Sequence, residues 1–301
     1  MIERPYLLHM LTAAKNLSPF DVNMAYDAGW TACTPYIDVT LEEVRDLVQD
    51  AIFSRGPKGV KRTGVFIGGR DAHLAMDMMR TAKKAMVPPF EVSLFADPSG
   101  AFTTAAGMVA CVEQQLKQSG ENGFEGQRVL VFGGTGPVGS IGATLVSLAG
   151  SEAVIVSHGS QTKADQVAEL CNQRYGSTLT GADGSNDSLI AQLLTRADVV
   201  FNTAKAGIQV LSKTHLQSAH RLKVACDVNA VPPEGIEGVG VMDDSVPIAG
   251  TSSGAVGIGA LTVGNVKYHT QHLLLKQMYE SDTHGYLDFN MAFKVARSYV
   301  T

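Results

Sequence analysis

Residues 127–150 read QRVLVFGGTGPVGSIGATLVSLAG. The apolar, β-branched run 129–132 stops at glycines and gives way to Val138, Ile141, Leu145, Val146 and Leu148, spaced as one face of a helix. Strand, tight turn and helix follow in that order. Gly134, Gly136 and Gly139 form the spacing G-x-G-x-x-G in the context that turns a weak pattern into a usable one. The first glycine permits the turn, the second lets backbone approach a pyrophosphate with no Cβ in the way, and the third lets helix pack closely on strand. Pro137 suits the first helical turn, where its missing N–H costs nothing. Free amides at that helix start, with the positive end of the dipole, suit a diphosphate. The stretch predicts a dinucleotide site; the alternative is a glycine-rich connection in some other α/β protein.

Outward from this centre, strands and helices alternate. Before it, residues 6–11, 31–37, 63–67 and 91–96 read as strands. Between them Ser18-Pro19-Phe20-Asp21 opens a helix, with Ser18 as cap and Asp21 completing a capping box, and Thr40-Leu41-Glu42-Glu43 opens another. Asp71 caps a helix running to Lys84, and a small-residue helix covers 103–117. After it come a strand at 153–156, a helix at 163–171, a loop at 181–187, strands at 198–202 and 222–228, and helices at 258–280 and 289–300. Strands alternating with helices predict α/β architecture with a parallel sheet. The loop-like segment 118–123 marks the division. A substrate domain is expected over 1–122, completed by helices 265–301, and a Rossmann-type doubly wound domain over 123–264.

Composition narrows the class. A chain of 301 residues with net charge -5 is long enough for two domains and carries no basic surface suited to nucleic acid. No apolar run reaches the ~18 residues a membrane span needs. The start, MIERPYLLHML, reads as the approach to a first strand and not as a signal peptide. Cys33, Cys111, Cys171 and Cys226 stand far apart with no C-x-x-C, as expected of reduced thiols in the cytoplasm. His269 and His272 share a helix face but lack acidic or cysteine partners at ligand spacing, so no metal is expected. The turn-rich stretch 55–62 carries Arg55, Lys58, Lys61 and Arg62, read either as a solvated loop or as a dock for an anionic tail or phosphate.

The end of the strand after the glycine loop bears on the choice of dinucleotide. An NAD site usually places Asp or Glu there, about 20 residues past the glycines, to accept bonds from the ribose 2′-OH. Here the sequence runs Ser157-His158-Gly159-Ser160-Gln161-Thr162-Lys163. Hydroxyls, an imidazole and Lys163 suit a 2′-phosphate, and nothing forbids NAD; both NADP and NAD stay open.

Six blocks resemble one family: Ser18-Pro19-Phe20-Asp21-Val22-Asn23-Met24-Ala25, Asp50-Ala51-Ile52-Phe53-Ser54-Arg55, Phe66-Ile67-Gly68-Gly69, Asp97-Pro98-x-Gly100 with Thr103-Thr104, Asp227-Val228-Asn229-Ala230 with Pro232-Pro233, and Gly257-Ile258-Gly259-Ala260. The chain is similar over nearly its whole length to methylene-tetrahydromethanopterin dehydrogenase, above all the bacterial NAD(P)-dependent form of one-carbon oxidation. The resemblance implies reversible hydride transfer between methylene-tetrahydromethanopterin and NAD(P)⁺, a pterin-binding first domain, C-terminal helices returning to it, and a homo-oligomer. In that reaction two nitrogens flanking the methylene carbon expel the hydride, so no general base is needed and carboxylates that favour a developing cation are sought. Asp97 and Asp21 are the catalytic candidates; Lys15, Asp21, Arg55, Asp97, Thr103, Thr104 and Lys267 are the substrate-binding candidates.

For the cofactor, Gly134, Thr135, Gly136, Pro137, Val138 and Gly139 are expected at the pyrophosphate and Ser157, His158 and Lys163 near the adenosine ribose. Thr203, Ala204, Asp227 and Asn229 fall at carboxyl ends of strands, and Gly257 and Ile258 at the start of the long helix. The folate-linked relatives use a lysine four residues after a tyrosine for their hydrolytic step. Here Trp30 follows Tyr26 and Thr40 follows Tyr36, so no cyclohydrolase activity is expected. A methylene-tetrahydrofolate dehydrogenase, a shikimate-dehydrogenase-like enzyme, for which the expected lysine is missing from the 97–107 region, and a non-catalytic dinucleotide sensor are the alternatives.

Overall fold

The central strands of this protein are short and buried on both faces, as a parallel sheet requires of its central members. The structure, a computed structural model, describes residues 4–301. Met1, Ile2 and Glu3, which open the stretch expected to lead into the first strand, lie outside the described residues. In chain order the first half runs β1 (Leu7–Leu11), α1 (Pro19–Asp27), β2 (Ala32–Tyr36), α2 (Val44–Phe53), α3 (Gly56–Val60), β3 (Thr63–Ile67), α4 (Ala72–Ala85), β4 (Ser93–Ala96) and α5 (Ala101–Gln118). Then follow β5 (Arg128–Phe132), α6 (Pro137–Leu148), β6 (Glu152–Ser157), α7 (Gln161–Tyr175), β7 (Thr180–Asp183), α8 (Asp187–Leu194), β8 (Val199–Asn202), α9 (Lys213–Gln217) and β9 (Val224–Asp227). β10 (Asp244–Pro247), β11 (Val256–Ile258), α10 (Ala260–Glu280), β12 (Tyr286–Leu287) and α11 (Phe289–Val300) complete it.

Two compact units result, one up to Thr103 joined by Tyr268–Val295, the other Thr104–Lys267 joined by Ala296–Thr301. Their limits fall inside α5, α10 and α11, not at residues 122 and 264. The first unit holds a five-stranded sheet in the order β12-β4-β3-β1-β2, every pairing parallel. Chain from far downstream closes it: Trp30 Nε1 donates to Leu275 O at 3.1 Å and Tyr279 Oη to Ala28 O at 2.6 Å. The second unit holds seven strands in the order β10-β11-β9-β8-β5-β6-β7, parallel except for β10. From β7 to β11 this is the doubly wound order of a dinucleotide fold, with its switch point between β5 and β8.

Several local expectations are corrected. Residues 181–187, expected as a loop, supply the end of β7 and the start of α8. Gly181 is there for close packing, since an added Cβ would lie 2.4 Å from Asp165 Oδ1 and 2.5 Å from Asp165 N on α7. Gly257 and Ile258 belong to β11, not to the long helix; β11 pairs with β9, and α10 starts two residues on. Residues 56–60 form a short helix within the basic turn. Ser18 occupies the N-cap of α1 but makes no side-chain cap, so Asp21 completes no capping box. Asp71 does cap α4, accepting from His73 N at 2.8 Å and Leu74 N at 3.0 Å.

Candidate functional site

In the second unit the carboxyl ends of β6, β5, β8 and β9 lie in register, Val156 beside Phe132, Phe132 beside Asn202 and Asn202 beside Asp227. The glycine turn leaves β5 at the switch point. Gly133, with φ at 70°, lies so close to the β8 loop that an added Cβ would meet Ala204 N at 2.4 Å. A Cβ on Gly134 would lie 2.6 Å from Val131 O, and one on Gly139 would lie 2.5 Å from Thr203 Oγ1 and 2.7 Å from Gly133 O. These three are glycines because the protein itself fills the space. Gly136 is different: its added Cβ would meet only Gly133 O, at 3.4 Å, and its φ of -86° is open to any residue. No close neighbour or positive φ demands a glycine at this N-cap of α6, which is left open toward the switch point.

The neighbouring residues divide into those that shape the loops and those that face outward. Thr203 Oγ1 donates to Phe132 O at 2.9 Å, pinning the β8 loop to β5. Asp227 is buried and accepts from Asn202 Nδ2 (2.8 Å), Asn229 N (2.9 Å), Gly235 N (2.8 Å) and Ile236 N (3.0 Å). It knots the loop after β9 and offers little to a ligand. Asn229 serves the same loop, accepting from Gly207 N and Val231 N and donating to Pro233 O. Ser157, expected near the ribose, is buried and accepts from Gly159 N at 3.1 Å and Ser160 N at 3.4 Å, folding the loop that exposes His158 and Lys163. Thr135, Pro137 and Val138 line the accessible start of α6. β7 also brings Asp183 beside Ser157, a carboxylate that sequence reading missed because it was placed in a loop.

In the first unit the candidates gather at the carboxyl edge of the sheet, with one exception. Asp97 follows β4 directly and is fully buried. Its Oδ1 accepts from Phe102 N at 2.9 Å and Thr103 N at 3.1 Å, and its Oδ2 from Thr103 Oγ1 at 2.6 Å. Asp97 and Thr103 therefore secure the first turn of α5, and the Thr103 hydroxyl is engaged there. Asp21, also buried, accepts from Gln271 Nε2 at 2.8 Å, a partner 250 residues away that no local pattern announces. Lys15 is exposed in the loop after β1. Arg55 is the exception: it lies at the amino edge of β3, donating from Nε to Thr63 Oγ1 at 3.2 Å and from Nη2 to Pro5 O at 2.8 Å. Parallel sheets hold ligands at the carboxyl edge, so Arg55 stands at the edge opposite to Asp97 and Lys15. Thr104 and Lys267 belong to the second unit, both half-buried, and α5 meets α10 there where a Cβ on Gly107 would lie 3.2 Å from Lys267 N.

Residues 19–99 match the family described as methylene-tetrahydromethanopterin dehydrogenase, N-terminal. Over 290 residues the chain is 46% identical to the NAD(P)-dependent methylenetetrahydromethanopterin dehydrogenase of Methylorubrum extorquens, covering 96% of this chain and 97% of that one. The chain belongs to this family. It is also 31% identical over 280 residues to a second protein of M. extorquens, Bifunctional protein MdtA, covering 93% and 94%. Among solved structures it is similar to a shikimate 5-dehydrogenase from Listeria monocytogenes in complex with shikimate and NAD, with TM-score 0.52 at 15% identity over 98% of this chain and 99% of that one. That last likeness concerns the fold alone.

Within the methylene-tetrahydromethanopterin dehydrogenase family the N-terminal match spans Asp21, Arg55 and Asp97 and stops short of the glycine turn. Among the described residues no group of three His, Cys, Asp or Glu side chains is placed to hold a metal, and His269 and His272 instead pack around Tyr268. No helix among the described residues is long and apolar enough to cross a membrane. A cavity of about 590 Å³ in the second unit is lined by Cys111, Gln114, Met242, Asp244 and Asn265 among others, none of them a predicted site residue.

Proposed function

We propose that this chain transfers hydride reversibly from 5,10-methylene-tetrahydromethanopterin to NAD(P)⁺, giving the methenyl form and NAD(P)H. The observation that carries the reading is the 46% identity, over nearly the whole of both chains, to an enzyme of that name. The glycine turn at the switch point of the second sheet supports it, because Gly136 leaves free a place that the protein does not use. When bound, the nicotinamide ring supplies the hydride acceptor. The chain's own residues bind, orient and set the field. The backbone at Gly136 and the first turn of α6 take the pyrophosphate, and the exposed His158 and Lys163 meet the ribose side.

No proton leaves an O–H or N–H in this reaction, so a general base has no part in it. Asp21 and Asp97 contribute fixed negative charge that favours the cationic product, Asp97 also as the cap of α5 and Asp21 as the acceptor from Gln271. In the first unit the exposed Lys15 is the cation that meets the pterin carrier's anionic part; Lys267 and Thr104 of the second unit are the remaining substrate candidates. The enzyme works as a homo-oligomer in the cytoplasm and uses both dinucleotides. It has no cyclohydrolase activity, since neither Tyr26 nor Tyr36 is followed four residues later by lysine.

The test is the initial rate of NAD⁺ and NADP⁺ reduction with methylene-tetrahydromethanopterin and methylene-tetrahydrofolate offered separately. Reduction with the methanopterin derivative supports the proposal. Turnover with the folate alone would move the enzyme to the folate-linked class, and dinucleotide binding without turnover on either would make it a sensor.

A further inference from the structure

At the amino edge of the first sheet, away from the carboxyl edge that holds Asp21 and Asp97, three arginines are tied into one cluster by backbone carbonyls. Arg4 Nη1 donates to Arg55 O at 2.5 Å, Arg55 Nη2 to Pro5 O at 2.8 Å, and Arg62 Nη1 to Arg4 O at 2.6 Å. The Arg62 guanidinium also lies over the Tyr6 ring, 4.8 Å from its centroid. Lys58 and Lys61 stand exposed on the same turn. Among the described residues, no carboxylate lies within ion-pair distance of Arg4 or Arg55.

This gathering of like charge is costly, and the neutral oxygens to which Arg4 and Arg55 donate offset it only in part. Burial first, then the charges of Arg4 and Arg62, hold Arg55 below the ordinary arginine value. The turn is nonetheless shaped to keep the cations together: an added Cβ on Gly59 would lie 2.7 Å from Arg4 Nη1 and 2.8 Å from Arg55 Cβ. A guanidinium has five N–H donors in a planar fork. The bonds above use one from Arg4 and two from Arg55. What remains on Arg4 and Arg55 is a pair of positioned forks with donors to spare, the donor type suited to a tetrahedral oxyanion.

We infer that Arg4 and Arg55, with the charge of Arg62, Lys58 and Lys61 beside them, form a binding site for a phosphate-class oxyanion, either free phosphate or the phosphate of a monoester. The site is separate from the proposed pterin and dinucleotide sites and does not rest on the reading of either. Neutral ligands gain nothing there, and monovalent halide lacks the paired oxygens that the forks address.

Calorimetric titration of the enzyme, with saturating NAD⁺ present throughout to occupy the glycine turn, tests it. Inorganic phosphate and glycerol 3-phosphate are titrated separately against sodium chloride of equal ionic strength. Saturable one-site binding of either is expected, at least tenfold weaker in Arg4→Gln and unchanged in Lys84→Gln, with Trp30 emission showing each variant folded. Binding of both assigns the site to phosphate as such, and binding of the monoester alone to a phosphorylated ligand. Equal affinity in wild type and Arg4→Gln, or heats that chloride reproduces, would overturn the inference.

Discussion

The hydroxyl of Thr103 donates to the carboxylate of Asp97 at 2.6 Å, and the Thr103 backbone N–H to the same carboxylate at 3.1 Å, with both residues buried. Two residues expected to touch substrate thus touch each other first. Asp97→Asn keeps the shape but sets an amide against donors, so stability is expected to fall by about 1–3 kcal/mol. Steady-state kinetics below the new melting transition then separates the roles. If the charge also favours the cationic product, kcat falls more than KM changes; an unchanged kcat in the folded variant would leave Asp97 with helix capping alone.

Gly136 and Gly139 are three residues apart but answer to different constraints. A Cβ at Gly136 has room in the protein, so for Gly136→Ala the melting temperature is expected to hold while dinucleotide affinity drops severalfold. Gly139→Val drives a side chain into Thr203 Oγ1 and Gly133 O and is expected to destabilise the second unit by about 1–3 kcal/mol. Equal effects of the two on melting would contradict the reading of the turn.

Asp227 serves four donors at the end of β9. Asp227→Ala leaves them buried without an acceptor, and a loss of about 3 kcal/mol or more is expected from denaturant unfolding. Gly235→Ala attacks the same knot from the other side, its Cβ arriving 1.9 Å from Asn202 Nδ2. Should both variants melt like the wild type, the loop after β9 is not held as described.

Asp183 at the end of β7 pairs with Ser157. Removing its charge relieves repulsion toward a 2′-phosphate. Asp183→Asn is expected to raise kcat/KM for NADP⁺ relative to NAD⁺ severalfold. A ratio that does not move would place the ribose elsewhere.

Burial, with the charge of Asp244 second, pushes the Cys111 thiol up to about 12 from an ordinary 9.0. The folded state therefore favours the protonated thiol. Its contribution to stability is fully present below pH 9.0 and is lost as pH rises from there through about 12, because the unfolded chain ionises first. Melting curves of wild type and Cys111→Ala between those limits are expected to converge as pH rises. A constant difference would mean that the thiol is not shielded.

The sequence declared what is local. The glycine turn, the Asp71 cap and the alternation of strand and helix depend on residues a few positions apart, and the doubly wound order followed from them. It concealed what depends on packing or on distant partners. Gly181 looked like a loop breaker because its neighbour on α7 is invisible in one dimension, and Gly257 looked like a helix start because β9 is 30 residues upstream. Gln271 gave no sign of its bond to Asp21, and the place of Arg55 became legible only once β3 had a direction. Gly133 carried a signal, being the first of a glycine pair at the strand end, and was missed because the motif can be satisfied without it.

Neither unit is continuous along the chain: β12 completes the first sheet beside β4, and Arg297 grips Glu113 of α5 with two bonds of 2.7 and 2.6 Å. During vectorial synthesis, then, the first unit cannot close as it leaves the ribosome. The nascent first sheet must wait, with Trp30 and Ala28 unpaired, until Leu275 and Tyr279 have been made some 245 residues later, which makes the early chain a natural client for chaperones.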